Sequence, residues 1–337
     1  MRPSNARRLL INEVAPRDGL QMESRFIETA DKIALIDRLS RLGYAKIEAT
    51  SFTSPKAIPA LRDAMEVMLG LRRVPGVVYT ALIPNVRGGE RAVECGVDEF
   101  NLVMSASETH NLANLRMFRE QSFSQLAAVI QLAHRHGTPV NVSLSCCFGC
   151  PMEGDIDPAV VLGLVGRFAA LDVQGVTLCD TTGMAYPLQV ASLCRRVLDA
   201  HPGLEVTGHF HNTRAMGLAN VLAAVDAGVT RFDVSLGGIG GCPYAPGASG
   251  NVPTEDVVHM LACEGHETGV DLDGVILAAA ELERLVGHYL TSQVFRSGPR
   301  LKLHSPPAGF DEIRARATRM AEGAADAARE QGDTRIG

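Results

Sequence analysis

Tryptophan is absent from this chain of 337 residues, and aromatic residues together make up only 5% of it. The sequence therefore offers no clear platform on which nucleic-acid bases or sugar rings could stack. It also lacks long runs of one charge, and its net charge is −6, whereas nucleic-acid-binding proteins usually have a basic stripe. We therefore expect no nucleic acid among the partners of this protein.

Long apolar runs are missing as well. No segment reaches the roughly 18 apolar residues that indicate a membrane-spanning helix. Residues 1–8 are polar and basic and lack the apolar centre of a signal peptide. The eight cysteines are too few for a disulfide scaffold in a chain of this length, and several lie in apolar runs, as buried thiols in a reducing compartment do. We therefore predict a cytoplasmic protein without a membrane partner.

Strand-like and helical patterns alternate along most of the chain. The predicted strands are residues 9–14, 45–50, 77–82, 99–104, 140–145, 176–179, 205–209 and 231–235. Helical patterns between them include residues 123–136, 158–171, 187–200 and 217–227. Eight strands in strict alternation with helices predict an α/β fold, a (β/α)8 TIM barrel with additional C-terminal helices. An open doubly wound sheet is the alternative, but no glycine-rich phosphate-binding fingerprint follows the first strand.

The composition changes near the C-terminus. A glycine-rich loop at residues 237–250 follows the last predicted strand, and two helical patterns come after it. From residue 296 the chain reads SGPRLKLHSPP and then becomes rich in Ala, Arg and Glu. We therefore predict a barrel domain over residues 1–295 and a C-terminal tail over residues 296–337, which is helical or partly disordered.

The polar residues that stand out fall at the carboxyl ends of the predicted strands, where barrels of this type place their active sites. They are Arg17, Asp18, Glu48, Asp180, His209, His211, Cys242 and Asn251. His209 and His211 are two residues apart on a strand, so both side chains project to the same side. Two hydrogen-bonded histidines would explain this spacing equally simply. With Asp18 and Asn251 added, however, the donors suit six-coordinate Mg²⁺ or Mn²⁺ better than Zn²⁺.

Two cysteine-containing segments have competing interpretations. Cys242 lies within GGIGGCPYAPGASGN (residues 237–251), which is either a flexible linker or a mobile lid that brings a thiol to a bound substrate. The lid is favoured, because an exposed thiol without a use is a liability. Cys146, Cys147 and Cys150 include a C-x-x-C spacing, but no second such motif exists for zinc, and we favour a cluster of buried thiols.

Six motifs in order resemble one family, the 3-hydroxy-3-methylglutaryl-CoA lyases. The motifs are EVAPRDGLQ (13–21), IEATSFTSPK (47–56), SCCFGCPMEG (145–154), CDTTG (179–183), GHFHNT (208–213) and GGIGGCPYAPGASGN (237–251). The resemblance extends from about residue 9 to 290. It places the chain in a metal-dependent barrel superfamily that also includes isopropylmalate and homocitrate synthases. It implies a carbon–carbon lyase with an acyl-CoA substrate, in leucine degradation and ketone body metabolism, and leaves a homodimer open as the assembly.

The resemblance also implies roles for individual residues. Asp18, His209, His211 and Asn251 match the ligands of a divalent metal cation, Mg²⁺ or Mn²⁺. Cys242 matches the catalytic thiol of the loop. Arg17 matches the arginine that meets the thioester oxygen, while Glu48 and Asp180 match acidic residues of the acid–base network. Arg17, Gln21 and Asn141 are the candidates for substrate binding.

Some positions depart from the family pattern. Family lyases commonly read V-R-G-Y where this chain has Val140-Asn141-Val142-Ser143. Asn212 replaces an acid, and Cys179 replaces a glycine. These changes are either neutral drift or a pocket reshaped for a different substituent at C3 or C2 of the substrate. Two further functions compete with the lyase: a Claisen-type synthase that condenses an acyl-CoA with a 2-oxo acid, and a non-catalytic binding protein on the same barrel.

Overall fold

Eight parallel strands close into a barrel in the computed structural model of the chain, which describes residues 6–241, 247 and 249–333, with side chains as far as residue 325. The strands are β1 (Leu10–Glu13), β2 (Lys46–Ser51), β3 (Val78–Leu82), β4 (Glu99–Ser105), β5 (Val140–Ser145), β6 (Gly175–Asp180), β7 (Glu205–Phe210) and β8 (Arg231–Val234). Each strand pairs with the next in sequence, and β1 pairs with β8 to complete the ring. The predicted TIM barrel is therefore confirmed.

Helices connect the strands and continue after the barrel is complete. The α-helices are α1 (Thr29–Leu39), α2 (Ala64–Gly70), α3 (Val86–Glu94), α4 (Glu108–Leu115), α5 (Arg119–Arg135), α6 (Pro158–Ala169), α7 (Pro187–Ala200), α8 (Gly217–Ala227), α9 (Thr254–Cys263), α10 (Leu272–Val286), α11 (Gln293–Ser297) and α12 (Phe310–Asp333). Proline opens both α6 and α7, where its missing N–H costs no hydrogen bond. No helix in this described part of the chain is long and apolar enough to cross a membrane.

Because side chains alternate along each strand, one set is buried in the apolar core and the other set faces the centre of the barrel. On β5, Val140, Val142 and Leu144 are buried in the apolar core, while Asn141 and Ser143 take part in hydrogen bonds with β4. The centre of the barrel is therefore polar and hydrogen-bonded. One such contact, from Lys46 to Glu99, has an Nζ–Oε1 distance of 2.8 Å. This polar centre lies beneath the rim on which the candidate site is built.

The chain separates into two compact units. Met1–Ser297 contains the barrel and helices α1–α11, and Gly298–Gly337 contains α12. The second unit includes the Ala- and Arg-rich sequence that was expected to form either a helix or a partly disordered tail, and residues 310–333 of it form a helix.

Candidate active site

A cavity of about 630 Å³ opens at the carboxyl ends of the strands. Its lining includes Arg17, Asp18, Gln21, His209 and His211, all of them predicted site residues. The strand pattern predicted that Arg17, Asp18, His209 and His211 lie at one rim, and the family resemblance added Gln21. The closed barrel brings all five to one cavity.

Asp18, His209 and His211 form a cluster that could hold a metal ion. Their potential ligand atoms all lie within 4.8 Å of one another, and all three residues are buried. His209 lies in β7 and His211 directly follows this strand, and their Nε2 atoms are 3.2 Å apart. Asp18 lies in a short π-helical turn, Ala15–Gly19, directly after β1. The paired imidazoles therefore face the carboxylate of a different strand.

Asn251 completes the cluster from the far end of the glycine-rich loop. A backbone bridge joins it to His211, and its Nδ2 donates to Oδ2 of Asp18 at 2.7 Å. Its Oδ1 is buried and has no hydrogen-bond partner among the described residues. An unpaired buried acceptor is costly unless a ligand satisfies it. The position beside Asp18 fits the fourth ligand of a cation.

The protonation states of the cluster also suit a divalent cation. Burial raises the pKa of Asp18, but Arg17 and the two histidines outweigh it, so the pKa lies below its ordinary value. Burial and the neighbouring His209 lower the pKa of His211 to about 3. Asp18 is therefore an anion and His211 a neutral imidazole at neutral pH, which are the forms that bind metals.

Asp233 on β8 supports His209, and sequence analysis missed it. Its Oδ2 lies 3.4 Å from Nδ1 of His209, and its Oδ1 accepts from Nδ2 of Asn12 at 2.9 Å. Burial lowers the pKa of His209, but the hydrogen bond and charge of Asp233 more than reverse this and raise it. Carboxylates behind metal-binding histidines fix the orientation of the ring. An acidic residue near the carboxyl end of the strand RFDV was the signal available in the sequence.

Arg17 lies between two carboxylates. Its Nη1 donates to Asp18 at 2.8 Å, and its Nη2 forms an ion pair with Oε2 of Glu48 at 2.6 Å. Burial lowers the pKa of Arg17, but the charges of Glu48 and Asp18 outweigh it and raise the pKa. For Glu48, burial raises the pKa, and the charge of Arg17 offsets only part of this rise. The guanidinium is therefore held at a fixed place on the cavity wall.

Asn141 is placed below this wall. Glu48 accepts from Asn101 at 2.7 Å, and Nδ2 of Asn141 donates to Oδ1 of Asn101 at 3.0 Å and to Thr177 at 2.9 Å. Asn141 lines a separate cavity of about 20 Å³ in the centre of the barrel. Asn141 is therefore connected to Arg17 by a chain of contacts through Asn101 and Glu48.

Asp180 ends β6 and is almost completely buried. Its Oδ1 accepts from the backbone N–H groups of Met184 and Ala185 at 2.8 and 3.0 Å. Burial raises its pKa to about 7, against the opposing effect of these N–H groups. Cys179 and Thr181, on either side of it, line the large cavity, whereas Asp180 is not among the lining residues.

Cys242 lies outside the described residues, but the loop on either side of it is partly described. Gly241 lines the cavity. Gly240 has φ +109°, and a Cβ atom there would lie 2.5 Å from Nδ2 of Asn251 and 3.2 Å from Asp18. Only glycine allows the backbone this close to the cluster. The loop that leads to Cys242 thus starts against the cluster that could hold a metal ion.

The other cysteine motif is buried. Cys146, Cys147 and Cys150 are all in the core, and burial raises the pKa of Cys147 to about 12. A thiol with such a pKa is a poor nucleophile and a poor metal ligand at neutral pH. This agrees with a buried thiol cluster.

Comparisons with known proteins agree with one another. The HMGL-like family model matches residues 8–282. Hydroxymethylglutaryl-CoA lyase YngG of Bacillus subtilis is 44% identical over 86% of this chain and 98% of its own length. An HMG-CoA lyase of Acinetobacter baumannii, solved with coenzyme A and 3-methylmalate, has a TM-score of 0.85 and 47% identity, over 89% of this chain and 98% of its own.

A relative with a different name is nearly as similar. The (R)-citramalyl-CoA lyase of Chloroflexus aurantiacus is 38% identical over 86% of this chain and 94% of its own length. The carboxyl transferase domain of Rhizobium etli pyruvate carboxylase, at 17% identity and a TM-score of 0.68, covers 90% of this chain and 50% of its own; it shares the fold.

Proposed function

The chain belongs to the HMGL-like family, and from this we propose that it is a carbon–carbon lyase that cleaves 3-hydroxy-3-methylglutaryl-CoA into acetyl-CoA and acetoacetate. The observation on which the proposal depends is the buried Asp18–His209–His211 cluster beside Arg17 in one cavity. The relatives reported above that share at least 30% identity are lyases, so neither a Claisen-type synthase nor a non-catalytic protein is favoured.

Asp18, His209, His211 and Asn251 would hold the metal. A mixture of oxygen and imidazole donors favours Mg²⁺ or Mn²⁺. When bound, such a cation supplies Lewis acidity that makes the substrate hydroxyl more acidic. The other parts of the mechanism are assigned to residues of the chain itself.

Cleavage begins when the C3 hydroxyl loses its proton to a base. Asp180, or a group beside it, is the candidate, because burial raises its pKa to about 7, close to the pH at which a general base is most effective. C3 and its oxygen become the carbonyl group of the ketone as the C2–C3 bond breaks. The electron pair of that bond moves to C2, which gives the enolate of the acetyl thioester. Glu48 would orient Arg17 for the next step.

Arg17 would stabilise the negative charge on the enolate oxygen, because a fixed guanidinium in a dry pocket needs little reorganisation. Gln21, which donates to Asp18 at 3.2 Å and lines the cavity, would help to bind the substrate. Cys242 would then give its proton to C2, and acetyl-CoA leaves. The proton that the base took from the C3 hydroxyl is passed to the Cys242 thiolate, so both groups return to their starting state. No covalent intermediate is required.

A metal-dependence assay tests this function. Release of acetyl-CoA and of a ketone from 3-hydroxy-3-methylglutaryl-CoA should disappear with a chelator and return with Mg²⁺ or Mn²⁺. His209→Ala should bind the cation much more weakly, whereas His136→Ala, at an exposed helix end, should behave as the wild type. Full activity after exhaustive removal of metal would contradict the proposal.

Two properties of the whole protein also belong to the proposal. We expect it to act in the cytoplasm, where a reducing environment suits its cysteines, six of the seven described ones being buried. We expect a homodimer, which light scattering after size-exclusion chromatography tests directly.

A further inference from the structure

The large cavity has two chemically different halves. The metal-binding residues come from the ends of β1 and β7, and Asp233 comes from β8. In a closed ring of eight strands, β3 and β4 lie opposite β7 and β8. The β3–β4 side of the cavity has six large apolar side chains, next to polar residues such as His110, Asn114, Arg116 and Gln125. The six are Ile58, Leu82, Val103, Leu115, Met117 and Leu126. We call these six residues the apolar half.

Small side chains connect the two halves. Ser143 and Ser145 on β5 and Cys179 on β6 line the cavity between them. Ser143 donates its hydroxyl to Oδ1 of Asn101 at 2.9 Å, within the wall. Both serines are small, so the cavity is not closed off at β5. The cavity is therefore continuous from the metal-binding cluster to the apolar half.

The apolar half is held in place by hydrogen bonds behind it. Asn111 donates to the carbonyl oxygen of Met117 at 2.7 Å and to Ser122 at 2.8 Å, which fixes the turn between α4 and α5. Gln125 donates to the carbonyl oxygen of Pro84 at 2.8 Å and so joins α5 to the end of β3. These contacts make the apolar half a preformed surface, and preformed apolar surfaces are typical of small-molecule sites.

We propose that the apolar half binds the substituent at C3 of the substrate, and that the preferred substrates are 3-hydroxy-carboxyacyl-CoA thioesters with an apolar C3 chain longer than methyl. This rests on the lyase function proposed above. In that function the hydroxyl and carboxylate of the substrate face the metal-binding cluster, and the thioester oxygen faces Arg17. The remaining group on C3 then has the apolar half to occupy, and a methyl group would leave most of that surface in water.

The test compares two thioesters in the metal-loaded enzyme: 3-hydroxy-3-methylglutaryl-CoA and its 3-butyl analogue. We expect the wild type to show at least tenfold higher kcat/KM for the butyl compound. Val103→Phe should lower the butyl-to-methyl ratio of kcat/KM by about 10–100-fold, the range that a change of one or a few methylenes has in an apolar pocket. Val103→Ala should keep or increase the ratio.

Controls separate pocket filling from damage to the fold. Ser143→Tyr fills the same space from β5 and should lower the ratio even if Val103→Phe fails to fold. Leu69→Phe, which adds a ring at an exposed position on α2, should leave the ratio unchanged.

Three results would overturn the proposal. One is a hundredfold preference of the wild type for the methyl thioester. A second is a Val103→Phe variant, or Ser143→Tyr in its place, that raises KM equally for both thioesters, which would assign the apolar half to the pantetheine arm. The third is failure to cleave either thioester, which would remove the lyase function as well, whereas the first two results leave it intact.

Discussion

The hydrogen bond from His209 to Asp233 determines which nitrogen of the imidazole is available. Because Asp233 Oδ2 faces Nδ1 at 3.4 Å, Nδ1 carries the proton and Nε2 is left for a cation beside His211. The side chain of Asp233 is mostly buried, so its removal would not be compensated by solvent. The orientation of one metal ligand thus depends on a residue that lies behind it.

We therefore predict that Asp233→Asn weakens metal binding by about 10–100-fold, the usual effect of losing such a partner. Titration with Mn²⁺ measures this directly and does not depend on activity. Asp226→Asn, at an exposed position on α8, is the matched control and should bind Mn²⁺ as the wild type does. Equal affinity in the two variants would show that Asp233 does not orient His209.

Cys242 should be the cysteine on which catalysis depends. We predict that Cys242→Ser lowers kcat by about 10²–10⁴-fold, since the serine hydroxyl is a much weaker acid and general acid catalysis contributes that much. KM should change little. Cys147→Ser removes a thiol that is buried in the core and should affect stability more than chemistry. A benign Cys242→Ser variant would leave the proposed general acid without support.

The strands were predicted more accurately than the helix boundaries and the short π-helical turn. The prediction for β5, residues 140–145, is exact, because apolar residues alternate with small polar ones along it. The prediction for α5 began at residue 123, but the helix begins at Arg119, after Phe118, which is not a typical N-cap. The π-helical turn Ala15–Gly19 was missed, since nothing local in APRDG favours that geometry.

The same distinction applies to the site. The cluster of Asp18, His209 and His211 could be predicted because strand ends in a barrel converge. The pairing of Arg17 with Glu48 and the position of Asn141 in the central cavity depend on which strands lie side by side and how they are registered. Such long-range contacts leave no periodic signal in the sequence.

Position 240 of the glycine-rich loop must be glycine, because no space is left there for a side chain. We predict that Gly240→Ala lowers kcat/KM by at least tenfold, because its Cβ would displace Asn251 and misplaced catalytic groups are costly. Gly247→Ala is the control: its φ is also positive, +71°, but no atom of the described residues lies within 4 Å of an added Cβ. Both variants should lose about 1–2 kcal/mol of loop stability from backbone strain, and only the first should lose activity as well. Steady-state kinetics of the two variants therefore separates the effect of the contact with Asn251 from the effect of backbone strain.

The barrel unit should function without the C-terminal unit. The family model matches residues 8–282, and the Bacillus subtilis relative is covered over 98% of its length by 86% of this chain. We predict that deletion of residues 298–337 leaves kcat/KM within about threefold, inside the range typical of changes away from an active site. A loss of activity on truncation would instead place part of the tail in the catalytic cycle.

Two buried carboxyl groups, Glu13 and Glu255, link the strand ends to the loop root, the residues Leu236 and Gly237 at which the glycine-rich loop begins. Glu13 accepts from Ala15, from Leu236 and from Thr254 at 2.8–2.9 Å, and Glu255 accepts from the N–H of Gly237 at 3.0 Å. Burial raises the pKa of Glu13 to about 7 and that of Glu255 to about 8, despite these N–H groups. Both groups therefore bind protons in the folded protein that the unfolded chain releases near pH 4.5.

The stability of the whole protein should consequently fall as pH rises through these values. Between the unfolded pKa and the folded pKa, the folded state binds more protons, so the free energy of unfolding decreases with increasing pH and levels off above about pH 8. The low pKa of His211, about 3, has the opposite effect, but only below its unfolded value of 6.5. A comparison between pH 6.5 and pH 8.5 therefore largely excludes the contribution of His211. A variant that lacks one carboxyl group then separates that group from Asp180 and His209, whose pKa values are also raised.

We predict that the wild type loses about 1–2 kcal/mol more free energy of unfolding than Glu255→Gln does between pH 6.5 and pH 8.5. The amide imitates the protonated carboxyl group and can still accept from Gly237, so the variant keeps the contact and loses the titration. Glu264→Gln, at the exposed end of α9, should retain the full wild-type dependence. Denaturant titrations at the two pH values measure the difference. If Glu255→Gln and the wild type lose equal stability, then Glu255 is ionised in the folded protein throughout this range, and the loop root is held by a charged group.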